Sequence, residues 1–257
     1  MNQVRATATT GADGAGGISV AMLLAAGLGT RMRPLTDERP KALVPFLGRP
    51  LIAHALERLA EAGIARVVIN AHHHADQIAA FAAARRVPPA IRVVHERERP
   101  LESGGGVKNA VDLLDAEAVF VINCDSFWRD HRLPALVRLA RMWDPARMDM
   151  LWLLARTVDA VGYRGRGDVI CTPGGRIRFP DERQVTPFAF TGIQILKPGV
   201  VAAEPGTVFS LTRVARRLAA AGRLHGLVHD GFWAHLGDPA ALAEAEAHLA
   251  AAGEPPP

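Results

Sequence analysis

The sequence predicts a doubly wound α/β fold, on three observations. Apolar segments rich in Val and Ile on both faces alternate with helical segments from residue 18 to residue 143, the pattern of a parallel sheet covered on both sides. The 257 residues are 49% hydrophobic, enough for one large α/β domain or two small ones. Glycines gather at the turn that leaves the first predicted strand, which is where such sheets receive ligands.

Each element has its own signal. "ISVAMLLAA" (18–26) reads as the first strand, and "PLIAHALERLAEAG" (50–63) as an amphipathic helix stopped by Gly63. "ARVVINA" (65–71) is a strand, "ADQIAAFAAARR" (75–86) a helix and "AIRVVHE" (90–96) a strand. "GGGVKNAVDLLD" (104–115) reads as a helix opened by its glycines, "AVFVINCD" (118–125) as a strand and "RLPALVRLARMW" (132–143) as a helix. After about residue 149 the pattern is less regular. There "DMLWLLART" is a strand, "GDVICTPGGRIRF" a hairpin region broken by Gly and Pro, and "FAFTGIQILK" a strand. "LTRVARRLAAAG" is a helix, a strand lies near "FWAHLG", and "PAALAEAEAHLAAA" closes the pattern as a helix. The second half is expected to extend the same sheet and add a lid over one edge. Residues 1–18, small and polar, are expected to be a disordered extension rather than a secretory signal, and 253–257 a tail; no internal repeat is present.

Composition excludes several classes. No apolar run reaches the roughly 18 residues of a membrane helix, so a soluble, cytoplasmic protein without a membrane partner is expected. Cys124 and Cys171 are too few for a disulfide framework and fit a reducing compartment, although a single bridge between them stays open. The net charge is +4 and the pI 9.7, yet the basic residues are scattered among acids. That argues against a nucleic-acid partner and suits a site for small polyanions. Only Lys41, Lys108 and Lys197 are lysines, a bias that reflects genome composition.

The turn after the first strand, "AAGLGTRMR" (25–33), carries the most information. Its backbone N–H groups face the carboxyl end of the sheet, and Gly27 and Gly29 would let a phosphate approach and take φ > 0. A lone G-x-G serves a tight turn equally well. Two phosphate-binding patterns fail against the letters. A dinucleotide fingerprint needs a third glycine where Met32 stands, and a Walker A loop needs Gly-Lys-Ser/Thr, which is absent.

The pattern "LAAGLGTRMRPLT" followed by "PKALVP" resembles the signature of sugar-1-phosphate nucleotidylyltransferases, without gaps from Leu24 to Pro45. "PLESGGG", "INCD", "FTGIQIL" and "FWAHLGDP" resemble later motifs of that family, so the resemblance spans roughly residues 19 to 252. It implies a Rossmann-like fold of glycosyltransferase-A type with a small sugar-binding lid. It also implies a single domain, 19–252, with a nucleotide-binding half (19–148) and a sugar-binding half (149–252). The implied reaction joins a nucleoside triphosphate to a sugar-1-phosphate and releases pyrophosphate. The short chain, "GRGD" at 165–168 and the E-S-G-G-G loop resemble the members that take UTP and N-acetylmuramate-1-phosphate in cell-wall recycling. Guanylyl transfer to mannose-1-phosphate or a heptose phosphate is the alternative. Lack of a hexapeptide-repeat extension after residue 252 argues against an added acetyltransferase, and a monomer or dimer is expected.

The residues carried over are specific. Arg31, Lys41 and Asp125 would be catalytic, and Leu24, Ala25, Ala26, Gly27, Gly29, Thr30, Arg31, Glu102, Gly105 and Asn123 would bind the nucleotide. Gly167, Asp168, Thr191 and Gly192 would face the sugar. The chemistry asks for such residues: the attacking phosphate is already anionic, so the site must supply alignment and neutralisation of charge rather than a base. Arg31 can pair with phosphate oxygens, Lys41 is a movable point charge, and Asp125 is a hard ligand for Mg²⁺, with Mn²⁺ the alternative. The chain departs from the pattern at His235, where the family has Asp; Asp238 is the alternative second ligand, although before Pro239 it also reads as a helix cap. That departure keeps a second class open, a nucleotide-sugar sensor that has lost turnover. "AHHHADQI" (71–78) has no carboxylate or Cys at ligand spacing and reads as a turn and helix start lining the sugar side rather than a metal site.

Overall fold

Along the strand Val20–Leu24, Val20 and Met22 enter one apolar core and Ala21 and Leu23 another. A strand buried on both faces belongs inside a sheet covered on both sides. The computed structural model, which describes residues 15–253, contains that sheet. The strands are β1 (Val20–Leu24), β2 (Pro45–Phe46), β3 (Arg49–Pro50), β4 (Arg66–Ala71), β5 (Ala90–His95), β6 (Val119–Asn123), β7 (Ser126–Arg129), β8 (Met150–Arg156), β9 (Ile170–Cys171), β10 (Ile177–Arg178), β11 (Phe188–Leu196), β12 (Leu224–Val228) and β13 (Phe232–His235). The helices are α1 (Leu51–Glu61), α2 (Ala75–Ala84), α3 (Glu102–Asn109), α4 (Val111–Leu114), α5 (Ala135–Met142), α6 (Pro198–Ala202), α7 (Leu211–Ala220) and α8 (Pro239–Ala251).

Seven strands form the main sheet in the order β12-β8-β11-β6-β1-β4-β5. β1 pairs in parallel with β4 and β6, β4 with β5, and β8 with β12. β11 runs antiparallel to both of its neighbours, so the sheet is mixed and mostly parallel. The chain leaves β1 for β4 on one side and reaches β6 on the other, which makes the carboxyl end of β1 a switch point where a crevice opens. A third core lies off the sheet, where Met32, Val44, Phe46, Phe127 and Leu236 pack against Leu242 and Leu249 of α8.

The elements predicted up to residue 143 are present, with shifted ends. The helix opened by glycines 104–106 begins two residues earlier, at Glu102, and breaks at Ala110 into α3 and α4; the missing side chains of those glycines let α3 sit against Phe209, Thr207 and Asn70. β12 carries no strand signal in the sequence: "LHGLV" follows a helix directly and holds Gly226, whose Cβ would lie 2.7 Å from Leu154. β7 is hidden there too, because the apolar run of β6 continues through it after only two residues. Of the expected disordered extension, residues 1–14 lie outside the described residues, but Ala15 and Ile18 are buried in the core under the sheet. Cys124 and Cys171 are free thiols.

Three buried histidines outside the crevice give the fold a pH dependence. Burial holds His54, His225 and His229 below the ordinary 6.5, and Nδ1 of both His225 and His229 is buried without a partner to receive a proton's charge. The unfolded chain therefore takes up protons before the folded one as pH falls below about 6.5. Thermal unfolding followed from pH 8 to pH 5 should show a flat Tm above about 7 and a falling Tm below about 6.5, where the unfolding free energy drops by up to about 1.4 kcal/mol per pH unit for each histidine. A Tm rising through that window would contradict the assignment.

Candidate active site

Parallel register brings the ends of three strands level: Leu24 pairs with Asn70 on one side and Asn123 on the other. Beyond them opens a cavity of about 320 Å³. Its floor is the loop after β1. The Ala25 N–H donates to Asn70 Oδ1 at 3.0 Å, turning the chain out of the sheet. Among the described residues, the N–H groups of Gly27, Leu28, Gly29, Thr30 and Arg31 have no protein acceptor, and Gly27, Gly29, Thr30 and Arg31 line the cavity. A row of free amides at the end of a buried strand is an anion cradle.

The two signature glycines serve different ends. Gly29 takes φ 63°, and a Cβ on it would lie 3.0 Å from Thr36 Cγ2 and 3.2 Å from Lys41 Cβ. Gly27 has neither positive φ nor any neighbour within 4 Å, so its bareness leaves open space rather than relieving strain. Thr36, itself buried, donates from Oγ1 to the Gly29 carbonyl at 2.8 Å and closes the loop on itself. Met32, at the position where a dinucleotide fingerprint would have glycine, is fully buried and anchors the loop in the third core.

Charge concentrates on the other wall. Lys41, in a short turn entered from extended Pro40, donates to Asp125 Oδ2 at 2.6 Å. The pair is nearly covered, with 11% and 17% of the two side chains exposed. Asp125 Oδ1 is buried with no partner. His235 reaches this corner because β13 pairs with β7, setting His235 opposite Ser126, while the Leu236 N–H donates to the Asp125 carbonyl at 2.8 Å. A Cβ on cavity-lining Gly237 would lie 2.6 Å from His235 Nε2 and 3.4 Å from an Arg31 guanidinium nitrogen, so both side chains converge here. Burial alone would raise the Asp125 pKa, but the Lys41 ammonium and then His235 outweigh it and hold the carboxyl below its ordinary range. Burial, aided by Lys41 and Arg31, keeps His235 below 6.5 and hence neutral near pH 7, with a lone pair free. The neighbouring Cys124 thiol is pushed up to about 12 by burial and then by Asp125, so it stays protonated and lines the cavity as a small apolar group.

The donor set fits a divalent cation bound largely by its substrate. One carboxylate oxygen lacks a partner and one neutral imidazole lies beside it, while no group of three His, Cys, Asp or Glu side chains able to hold a metal exists among the described residues. Mg²⁺ and Mn²⁺ accept such sites when phosphate oxygens and water complete the shell. Asp238 is committed elsewhere: its Oδ1 accepts from the Ala241 N–H at 2.9 Å and caps α8.

Nearly all of the predicted nucleotide residues come together. Leu24, Ala25, Ala26, Gly27, Gly29, Thr30, Arg31, Glu102 and Asn123 line the cavity, whereas Gly105 stands behind its wall, packed on Thr207 and donating to the Phe209 carbonyl at 3.0 Å. The predicted sugar residues do not line it. Thr191 Oγ1 donates to the Leu153 carbonyl at 2.8 Å, Asp168 Oδ2 accepts from the Phe190 N–H at 2.8 Å, and Gly167 packs on Thr186. Gly192 is nearest: at φ 79° it brings β11 so close that a Cβ would lie 2.8 Å from Asn123 Nδ2. Sequence reasoning misses two residues. Asn70 and Glu96 are buried in the cavity wall; Asn70 Nδ2 donates to Glu96 Oε1 at 2.7 Å and the Leu101 N–H to Glu96 Oε2 at 2.8 Å. Their signal is position, since each ends a strand on the β1 side of the sheet.

Residues 20–252 match the nucleotidyl transferase family. The chain is 45% identical over 236 residues to the N-acetylmuramate alpha-1-phosphate uridylyltransferase of Caulobacter vibrioides, covering 91% of this chain and 98% of that protein. It is 33% identical to the Neisseria meningitidis protein of the same name, over 88% of this chain and 96% of that one. Among solved structures, HddC from Yersinia pseudotuberculosis complexed with GMP-PN superposes with a TM-score of 0.69 at 22% identity, covering 90% of this chain and all of that one, a likeness of fold.

Proposed function

The chain belongs to the nucleotidyl transferase family, and from that premise we propose that it joins UTP to N-acetylmuramate-1-phosphate, forming UDP-N-acetylmuramate and pyrophosphate. The observation that carries the choice of substrates is the 45% identity to the Caulobacter uridylyltransferase across nearly the whole of both proteins. The cavity supports it, with free amides on one wall and a carboxylate, a lysine and an arginine on the other.

In this reading the amides of Gly27 to Arg31 take the triphosphate and Arg31 pairs with its outer phosphates. A phosphate oxygen of the sugar phosphate attacks the α-phosphorus; the P–O bond to the β-phosphate breaks, and that oxygen leaves with pyrophosphate. No proton need move. Lys41 turns from Asp125 toward the phosphate at which negative charge builds. Asp125, with His235 beside it, would hold the divalent cation, which supplies positive charge to the phosphates when bound. The sugar is assigned to the side of Asn123 and Gly192, where β11 presses against the cavity wall.

Pyrophosphate release measured across the four nucleoside triphosphates and a panel of sugar-1-phosphates tests this directly. Release confined to UTP with N-acetylmuramate-1-phosphate is expected; release with GTP and mannose-1-phosphate would replace the reading with guanylyl transfer. Binding of nucleotide without release from any pair would leave a sensor.

Imidazole is a poor ligand for Mg²⁺ and a better one for Mn²⁺. The protein is therefore expected to bind Mn²⁺ more tightly than Mg²⁺ in the presence of nucleotide, and His235→Asp to narrow or reverse that order. Competition between the two ions, read by Mn²⁺ paramagnetic resonance, measures it; an unchanged ratio would remove His235 from the shell.

A further inference from the structure

The triple histidine run does not line the cavity; it grips the loop that builds the cavity floor. His73 Nε2 lies 3.1 Å from the Thr36 carbonyl, His74 Nε2 3.1 Å from the Asp37 carbonyl, and Gln77 Nε2 donates to the Glu38 carbonyl at 2.7 Å. Three consecutive carbonyls are thus held by three side chains from the turn before α2 and its first residues. His72 faces the other way, with Nδ1 2.5 Å from the carbonyl of Glu96, whose side chain braces Asn70. The gripped segment lies between the two charges of the site in sequence, after Arg31 and before Lys41, and Thr36 closes it onto the Gly29 carbonyl.

A second observation points the same way. His74 sits at φ 51° and ψ 41°, a left-handed conformation uncommon for any residue but glycine, though one in which histidine is found more often than most side chains. A histidine held there at a conformational cost is accounted for by what its side chain does. Its ring also contacts that of His73, with centroids 4.0 Å apart.

We infer that His73, His74 and Gln77 are positioning residues for nucleotidyl transfer: a strap that holds the phosphate-binding loop in its working shape before substrate arrives. His72 joins the strap to the wall formed by Glu96 and Asn70. The loop is otherwise pinned at Met32, at Thr36 and by short 3₁₀ turns at its two ends, so without the strap the segment from Thr36 to Pro40, between the amides and Lys41, would have to be ordered by the nucleotide itself. The inference rests on the function proposed above for its kinetic consequence, but the held loop is a property of the free protein.

The discriminating variant is His73→Ala with His74→Gly, which deletes both grips while relieving the strained backbone. The hydrogen-bonded loop amides, those of Met32, Arg33, Leu35 and Asp37, should exchange with solvent faster in the ligand-free variant while those of β1, β4 and β6 are unchanged. Its kcat/KM for UTP should fall about 10- to 100-fold, mostly through KM, while Tm holds or rises. His73→Gln, which keeps an N–H of similar reach, should restore most of the loss caused by His73→Ala. Unchanged exchange with kcat/KM within about twofold of the parent overturns the inference. A loss of activity that tracks a loss of Tm and is not restored by glutamine overturns it too, since the run would then be structural. If the parent releases no pyrophosphate from any substrate pair, the proposed function fails, and the exchange of the Met32, Arg33, Leu35 and Asp37 amides still decides the strap.

Discussion

Asp125→Asn should lower kcat by about a thousandfold or more, the largest effect of any single change in the site. The substitution keeps the shape and removes the charge. Asp125 is the carboxylate paired with Lys41 at the corner where Arg31 and His235 also converge, and its unpartnered Oδ1 is the oxygen left for a cation. Without it Lys41 loses its carboxylate partner. Stability should suffer far less than activity: stripping a largely buried ion pair of one member costs about 3 kcal/mol, and Lys41 is left without its acceptor at 2.6 Å. A double variant with Lys41→Met separates the two effects, because removing both charges should return most of the Tm and none of the turnover. Measured kcat within about tenfold of the parent would mean that Asp125 only holds Lys41 in place.

Gly29→Ala should come next in size, with kcat/KM for the nucleotide down about 100-fold and stability down by about 1 to 2 kcal/mol. A methyl group at φ 63° is strained, and at 3.0 Å from Thr36 and 3.2 Å from Lys41 it pushes on the brace of the loop and on Lys41 together. Gly27→Ala makes the contrast. Nothing lies within 4 Å of its added methyl and its φ is ordinary, so Tm should hold or rise slightly. Yet that methyl enters the space from which a phosphate approaches, so KM for the nucleotide should rise. If the two variants behaved alike in both Tm and kinetics, the separate roles assigned to the glycines would fall.

Distance along the chain separates the features that are legible in the letters from those that are not. The alternation of strand and helix to residue 143 is local, and so is the loop from Leu24 to Pro45; both can be read. The placement of β12 against β8 and the pairing of β13 with β7 depend on partners far away, and no local period announces them. The sugar side illustrates the same limit. Asp168 and Thr191 carry polar groups that look free in sequence, but each is spent on a backbone group of another segment. Asn70 and Glu96 fail in the opposite sense: a polar residue ending an apolar strand looks like the start of a loop until its neighbour across the sheet is known.

The third core has a consequence for how the protein comes into being. Met32, in the loop after β1, shares that core with Leu242 and Leu249 of α8. A ribosome-bound chain therefore displays every residue of the signature long before the helix that seats one of them has been made. On the function proposed above, the loop reaches its full seating only once α8 has been made and docks, so a ligand's help to folding is greatest after that point.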